Sequence, residues 1–122
     1  MRFTSLGVAM GIVHGRKASA VVLRPGADRF LRTCTDERVK HSAEEMLDLL
    51  KDRYDLGRKI PRPQFPPSYV EKLGLNNLYK CDLALGWRLT YTLTSDAAGI
   101  RVDVLEIMPH SEYDKRFGYR TT

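Results

Sequence analysis

Cysteine is scarce in this chain: Cys34 and Cys81 are the only two in 122 residues. They stand far apart, with no CxxC pattern and no histidine pair nearby, so they make neither a zinc site nor a disulfide framework. Two buried free thiols in a reducing, cytoplasmic setting are the simpler expectation. Histidine is almost as sparse, with His14, His41 and His110 too dispersed to argue for a ligand cluster. No apolar run is long enough to span a bilayer, and no membrane partner is implied. The start loosely imitates a signal peptide, with Arg2, an apolar run over residues 6–13 and Ala18-Ser19-Ala20. His14-Gly15-Arg16-Lys17 interrupts that pattern where the apolar region should continue. Residues 1–17 therefore read as an extra strand, an ordered arm or an over-long start. Internal repeats and low-complexity stretches are also missing, which excludes solenoids and disordered tails.

What remains is one domain, residues 18–122, large enough to bury an ordinary core. The net charge is +5, which favours an anionic partner such as nucleic acid, a phosphorylated ligand or an acidic protein. The surplus is local. Residues 57–82 carry five Lys or Arg against two Asp or Glu, whereas residues 83–122 carry five against five.

Hydrophobic periodicity gives the elements. Residues 18–23 form a β-branched strand stopped by Arg24-Pro25-Gly26, and residues 27–34 suit a short helix facing inward through Phe30, Leu31 and Cys34. Ser42 and Glu45 have capping-box spacing ahead of Met46, Leu47, Leu50 and Tyr54, with Gly57 as the stop. An earlier start could be capped by Thr35 or Asp36. Four prolines make residues 57–67 a stiff basic connector without regular structure. Residues 67–74 suit one or two helical turns ended by Gly74. Three strands follow, over residues 78–83, 87–93 and 100–108. In the second, Trp87, Leu89, Tyr91 and Leu93 alternate with Arg88, Thr90 and Thr92, so one face is core and Arg88 points away from it. Residues 95–99 read as a hairpin connection. The order is β-α-α-β-β-β, an α+β fold with helices packed on a small, mostly antiparallel sheet.

With these residues in view, a family resemblance emerges. Asn77-Leu78-Tyr79-Lys80, Gly86-Trp87-Arg88-Leu89-Thr90-Tyr91 and Val104-Leu105-Glu106-Ile107 resemble the sheet of the RelE/ParE toxin superfamily. The tail over residues 110–119, His-Ser-Glu-Tyr-Asp-Lys-Arg-Phe-Gly-Tyr, resembles a RelE-like branch of it. The resemblance spans roughly residues 18–119. It implies a toxin of a toxin–antitoxin pair, neutralised by a small antitoxin protein, with no cofactor. RelE-type members cleave messenger RNA, often on the ribosome and without a metal; ParE-type members poison DNA gyrase instead. A relic of the fold that only binds RNA or protein is a third alternative, and the resemblance alone leaves all three open.

Cleavage of RNA through its own 2′-hydroxyl needs a base, an acid and cations around the phosphate. Arg88 fits the phosphate, because guanidinium matches two of its oxygens; a salt bridge to Asp103 or Glu106 is the structural alternative. His110 is the nearby side chain that ordinarily titrates close to neutral pH, which suits an acid or base. Tyr113 could stack on a base or share in proton transfer. Tyr119 reads instead as a packing residue. Arg58, Lys59, Arg62, Lys80, Lys115 and Arg116 form the expected RNA-binding footprint, with a solvated charge run as the plainer explanation.

Overall fold

The computed structural model describes residues 16–118. Within them the chain folds into five strands and four α-helices: β1 (Ala20–Leu23), α1 (Pro25–Thr33), α2 (Glu37–Asp52), β2 (Arg58–Lys59), α3 (Pro67–Leu73), β3 (Tyr79–Asp82), β4 (Trp87–Asp96), β5 (Gly99–Pro109) and α4 (His110–Phe117). The sheet order is β1-β5-β4-β3-β2. β1 runs parallel to β5, and every other pairing is antiparallel. An α+β domain with a mostly antiparallel open sheet is thus what the residues build. Beyond the expected elements, which include the helical turns over residues 67–74, the chain adds a two-residue strand and a C-terminal helix.

The helices start differently from their sequence signals. α1 begins at Pro25 itself, because a proline at the first helical position gives up only an N–H that would have no partner, and its φ suits the helix. α2 begins at Glu37, five residues before Ser42. Asp36 is its N-cap and accepts from the backbone N–H groups of Arg38 and Val39 at 3.0 and 3.3 Å. The Ser42–Glu45 capping box does not form: Ser42 lies inside the helix, and its hydroxyl accepts from Ala84 N–H at 2.9 Å. The helix also ends at Asp52, short of Gly57. Val39, Ala43, Met46, Leu47 and Leu50 line its inner face. The connector after it is not wholly irregular, since Arg58 and Lys59 pair with Lys80 and Tyr79 and Arg62–Gln64 forms a 3₁₀ turn. α3 ends at Gly74 in the left-handed conformation, as expected.

The sheet buries both faces. α1 and α2 cover one side over Leu89, Tyr91, Val102, Val104 and Ile107. The opposite side was expected to be polar, but α3, α4 and the proline-rich segment build a second cluster there from Ile60, Phe65, Tyr69, Leu78, Leu105, Met108, Tyr113 and Phe117. Thr90 and Thr92 are accordingly buried. The alternation along β4 is present, but this second cluster comes from distant elements that the strand's own pattern does not reveal. A β-bulge contributes to it. Thr90 pairs with Glu106 and Tyr91 with Val104, so Leu105 is the extra residue on β5. This explains why β5 is apolar on both faces around Val104, Leu105 and Ile107. The hairpin turn carries Asp96 Oδ1 accepting from Ala98 N–H at 2.9 Å. No helix among the described residues is long and apolar enough to cross a membrane.

Residues 1–15 of the expected arm, with His14, and Tyr119 at the other end lie outside the described residues. The end of the arm is tethered: Arg16 accepts from Tyr54 N–H through its carbonyl and contacts Asp55 at 2.5 Å through its guanidinium.

Candidate functional site

The connection from β3 to β4 is the focus of the site. It makes a 3₁₀ turn, Ala84–Gly86, in which Leu85 adopts φ 58° and Gly86 φ 77°. A left-handed leucine is disfavoured, because its Cβ crowds the following carbonyl oxygen. Such strain persists only where the surroundings determine the backbone. Here Ser42 holds Ala84 from α2, and Leu83 N–H donates to the Trp87 carbonyl at 2.8 Å.

Arg88 and His110 meet at this turn. The Arg88 guanidinium donates to the carbonyls of Gly86 at 3.1 Å and Trp87 at 3.4 Å. A Cβ placed on Gly86 would lie 3.3 Å from His110 Nδ1, so the imidazole rests against the glycine. His110 is the first residue of α4 and is exposed. Register explains the meeting: Arg88 pairs with Met108, and Trp87 pairs with Pro109, the residue before His110.

Asp82 is the ion-pair partner of Arg88, in place of the expected Asp103 or Glu106. The two are cross-strand neighbours, with Asp82 Oδ1 3.1 Å from Arg88 Nε. That approach is charge against charge, because the Nε–H is not aimed at the carboxylate. Asp82 also lies 3.6 Å from Lys80 Nζ. Lys80 in turn pairs in register with Arg58, so three cations stand on neighbouring strands at one end of the sheet. A recess of about 180 Å³ lies between this sheet edge and α2, lined by Met46, Leu56 and Cys81 together with Arg58, Lys80 and Asp82. Asp103 is occupied elsewhere, with Arg101 at 2.7 and 3.0 Å and Thr94 at 3.2 Å.

Tyr113 is part of the core. It is 1% exposed and stacks on Phe117 with ring centroids 4.2 Å apart. This burial corrects the reading of Tyr113 as a base-stacking platform, since a nucleobase has no access to the ring. Its contribution is underneath the cations: Lys80 Nζ and the Arg88 guanidinium sit 5.6 and 5.8 Å from its centroid, within cation–π range.

The other basic candidates divide. Arg58, Lys59 and Lys115 are exposed and make no ion pair among the described residues. Strand alternation sets Lys59 on the opposite face from Arg58. Arg62 donates to the Asn76 carbonyl at 3.1 Å and lies over the Phe65 ring. Arg116 is bound to Glu106 Oε1 at 2.5 Å, and the Tyr69 hydroxyl donates to the same oxygen while sharing a 3.1 Å bond with Thr90. Burial, reinforced by the bond to Glu106, pushes the Tyr69 phenol far up, so it stays neutral. The bond to Glu106 likewise raises Arg116 above its ordinary value.

Arg88, Lys80 and His110, joined by Arg58, are therefore brought together; Arg62, Arg116 and Lys59 are engaged elsewhere or face away. Asp82 escaped sequence reasoning because only the β3–β4 register sets it opposite Arg88, and Ala84-Leu85-Gly86 carries no recognisable turn signature. No group of three or more His, Cys, Asp or Glu that could hold a metal exists among the described residues.

No family model matches this chain, and no curated protein is significantly similar to it.

Proposed function

We propose that the protein is a RelE-like toxin, an endoribonuclease that cleaves messenger RNA at the ribosome without a metal and is restrained by a small antitoxin protein. The observation that carries this reading is the meeting of Arg88 and His110 at the left-handed Leu85–Gly86 turn, with Lys80 beside Arg88. A guanidinium, an ammonium and an exposed imidazole at one sheet end supply the cations and one of the two proton-transfer groups that transesterification requires. The 2′-oxygen attacks the adjacent phosphorus as the bond to the 5′-oxygen breaks, leaving a 2′,3′-cyclic phosphate and a 5′-hydroxyl. Arg88 and Lys80 face the phosphorane charge. His110 moves one of the two protons, as base to the 2′-hydroxyl or acid to the departing 5′-oxygen, and solvent water exchanges the other. Tyr113 orients the two cations from below and takes no part in the chemistry.

Asp82 has a defined place in this scheme. Its carboxylate holds Arg88 and Lys80 in the position an RNA phosphate would take, and the phosphate must displace it. Asp82 is mostly exposed, so the ion pair is weak enough to exchange.

Inducing the protein in growing cells and mapping messenger ends by primer extension tests the proposal. Discrete new 5′ ends are expected with chelator-resistant cleavage in lysates, and His110→Ala or Arg88→Ala should lower cleavage about 10²-fold or more while leaving the fold intact. Intact messengers accompanied by a DNA-damage response would select the gyrase-poison alternative. Full toxicity in both variants would remove the site.

A further inference from the structure

A second concave site lies at the other end of α4. It is a cleft of about 550 Å³ between the start of α1, α3, the bulge of β5 and the last turn of α4. Its lining shares no residue with the Arg88–His110 site. His110 and Arg116 belong to the same helix, about 9 Å apart along its axis at 1.5 Å per residue.

We propose that this cleft binds a phosphate monoester of a small organic molecule. Its volume falls in the range of small-ligand pockets, about 300–1,000 Å³. Three cations line it, Arg24, Lys72 and Arg116, against one carboxylate, Glu106. Glu106 is bound to Arg116 and to the Tyr69 hydroxyl, so it holds Arg116 in a fixed place. Arg24 and Lys72 make no ion pair among the described residues, and this leaves a double positive charge facing the space. The three cations come from three separate walls. A phosphate monoester presents three acceptor oxygens in a pyramid and can meet all of them, whereas the two oxygens of a carboxylate lie in one plane. The apolar body of the ligand has its own surface: Leu73 is 38% exposed at the rim, and Leu105 lines the wall. The bulge explains why β5 offers both an apolar and a charged side chain here, since the extra residue brings Leu105 to the same side as Glu106.

This inference is independent of the ribonuclease reading, and the test separates them. Phenyl phosphate, methyl phenyl phosphate (a diester with one charge) and phenol are titrated into the full-length protein and followed by two-dimensional NMR. Saturable shifts at Gly26, Ser68 and Leu105 are expected with phenyl phosphate, about tenfold tighter than with the diester, a difference of about 1.4 kcal/mol, and none with phenol. Arg24→Gln combined with Lys72→Gln should weaken binding about tenfold or more. Both residues are exposed, so circular dichroism should show an unchanged fold. Arg88→Ala should leave the affinity unchanged. Shifts centred on Gly86 and abolished by Arg88→Ala would place phosphate binding at the other site and overturn the proposal, as would equal affinity for monoester and diester or no saturation.

Discussion

Arg88 is held from three directions, by the Gly86 carbonyl, the Asp82 carboxylate and the Tyr113 ring. A guanidinium so restrained loses little further freedom on meeting a phosphate, and its main obstacle is the resident carboxylate. Asp82→Asn should therefore tighten RNA binding, by severalfold or about 1 kcal/mol, measured by fluorescence anisotropy with a short oligonucleotide; weaker binding would show that Asp82 assists the site instead of competing in it. Gly57 is a different single-residue constraint. Its N–H donates to the Tyr91 hydroxyl at 2.9 Å, and that hydroxyl donates to the Tyr54 carbonyl at 2.7 Å. A Cβ there would lie 2.7 Å from the Tyr91 ring and 2.9 Å from the Lys80 carbonyl. Gly57→Ala should cost about 1–3 kcal/mol, read as a lower urea midpoint, and should disturb the recess beside Lys80. The sequence offered Gly57 as a helix stop, but the reason for glycine at this position is close approach to a tyrosine 34 residues away, a contact that exists only after folding.

α2 shows what local patterns can and cannot convey. Ser42 has a glutamate three residues on, at capping-box spacing, and Asp36 does not, yet only Asp36 is a cap. Asp36→Ala should lower stability by about 1 kcal/mol and fray the first turn, measured by hydrogen exchange at Arg38 and Val39. Ser42→Ala should leave the helix start alone and loosen the Ala84–Gly86 turn, with reduced cleavage and nearly unchanged helicity. Equal fraying in both variants would contradict the assignment. The strands were legible because β4 alternates cleanly from Trp87 to Thr94, and α3 because Gly74 stops it. α4 was less so. Its two inward residues, Tyr113 and Phe117, sit among six polar or charged ones, so the segment reads as an exposed tail until β5 delivers it against α3. Arg88 and His110 could be chosen as candidates from residue chemistry and position. Their meeting at Gly86, and the burial of Tyr113, depend on register and on packing between elements, which spacing along one strand does not encode.

At the scale of the whole molecule, a sheet covered on both sides buries several groups in their neutral forms. Burial first, then the nearby Asp82 charge, pushes the Cys81 thiol up to about 12; burial also raises the phenols of Tyr69 and Tyr91. A raised folded-state value means that the neutral group is favoured by folding. The corresponding stability is fully present below the unfolded-state value, near 9 for the thiol, and is lost as pH rises toward 12. Urea denaturation from pH 7 to 11 should show a decline beginning near pH 9, with Cys81→Ala removing part of it; a flat profile would contradict neutral burial. The parallel pairing of β1 with β5 has a consequence in time. Ala20 finds its partner only at Arg101, 81 residues later, a stretch that takes about 4–16 s to synthesise at 5–20 residues per second. Until then β1 has no strand to join and β4 lacks its neighbour on that side, and His110 is made later still. A chain cut short before residue 110 can hold Arg88 but never the histidine that meets it, so the candidate chemistry comes into being in one late step of translation.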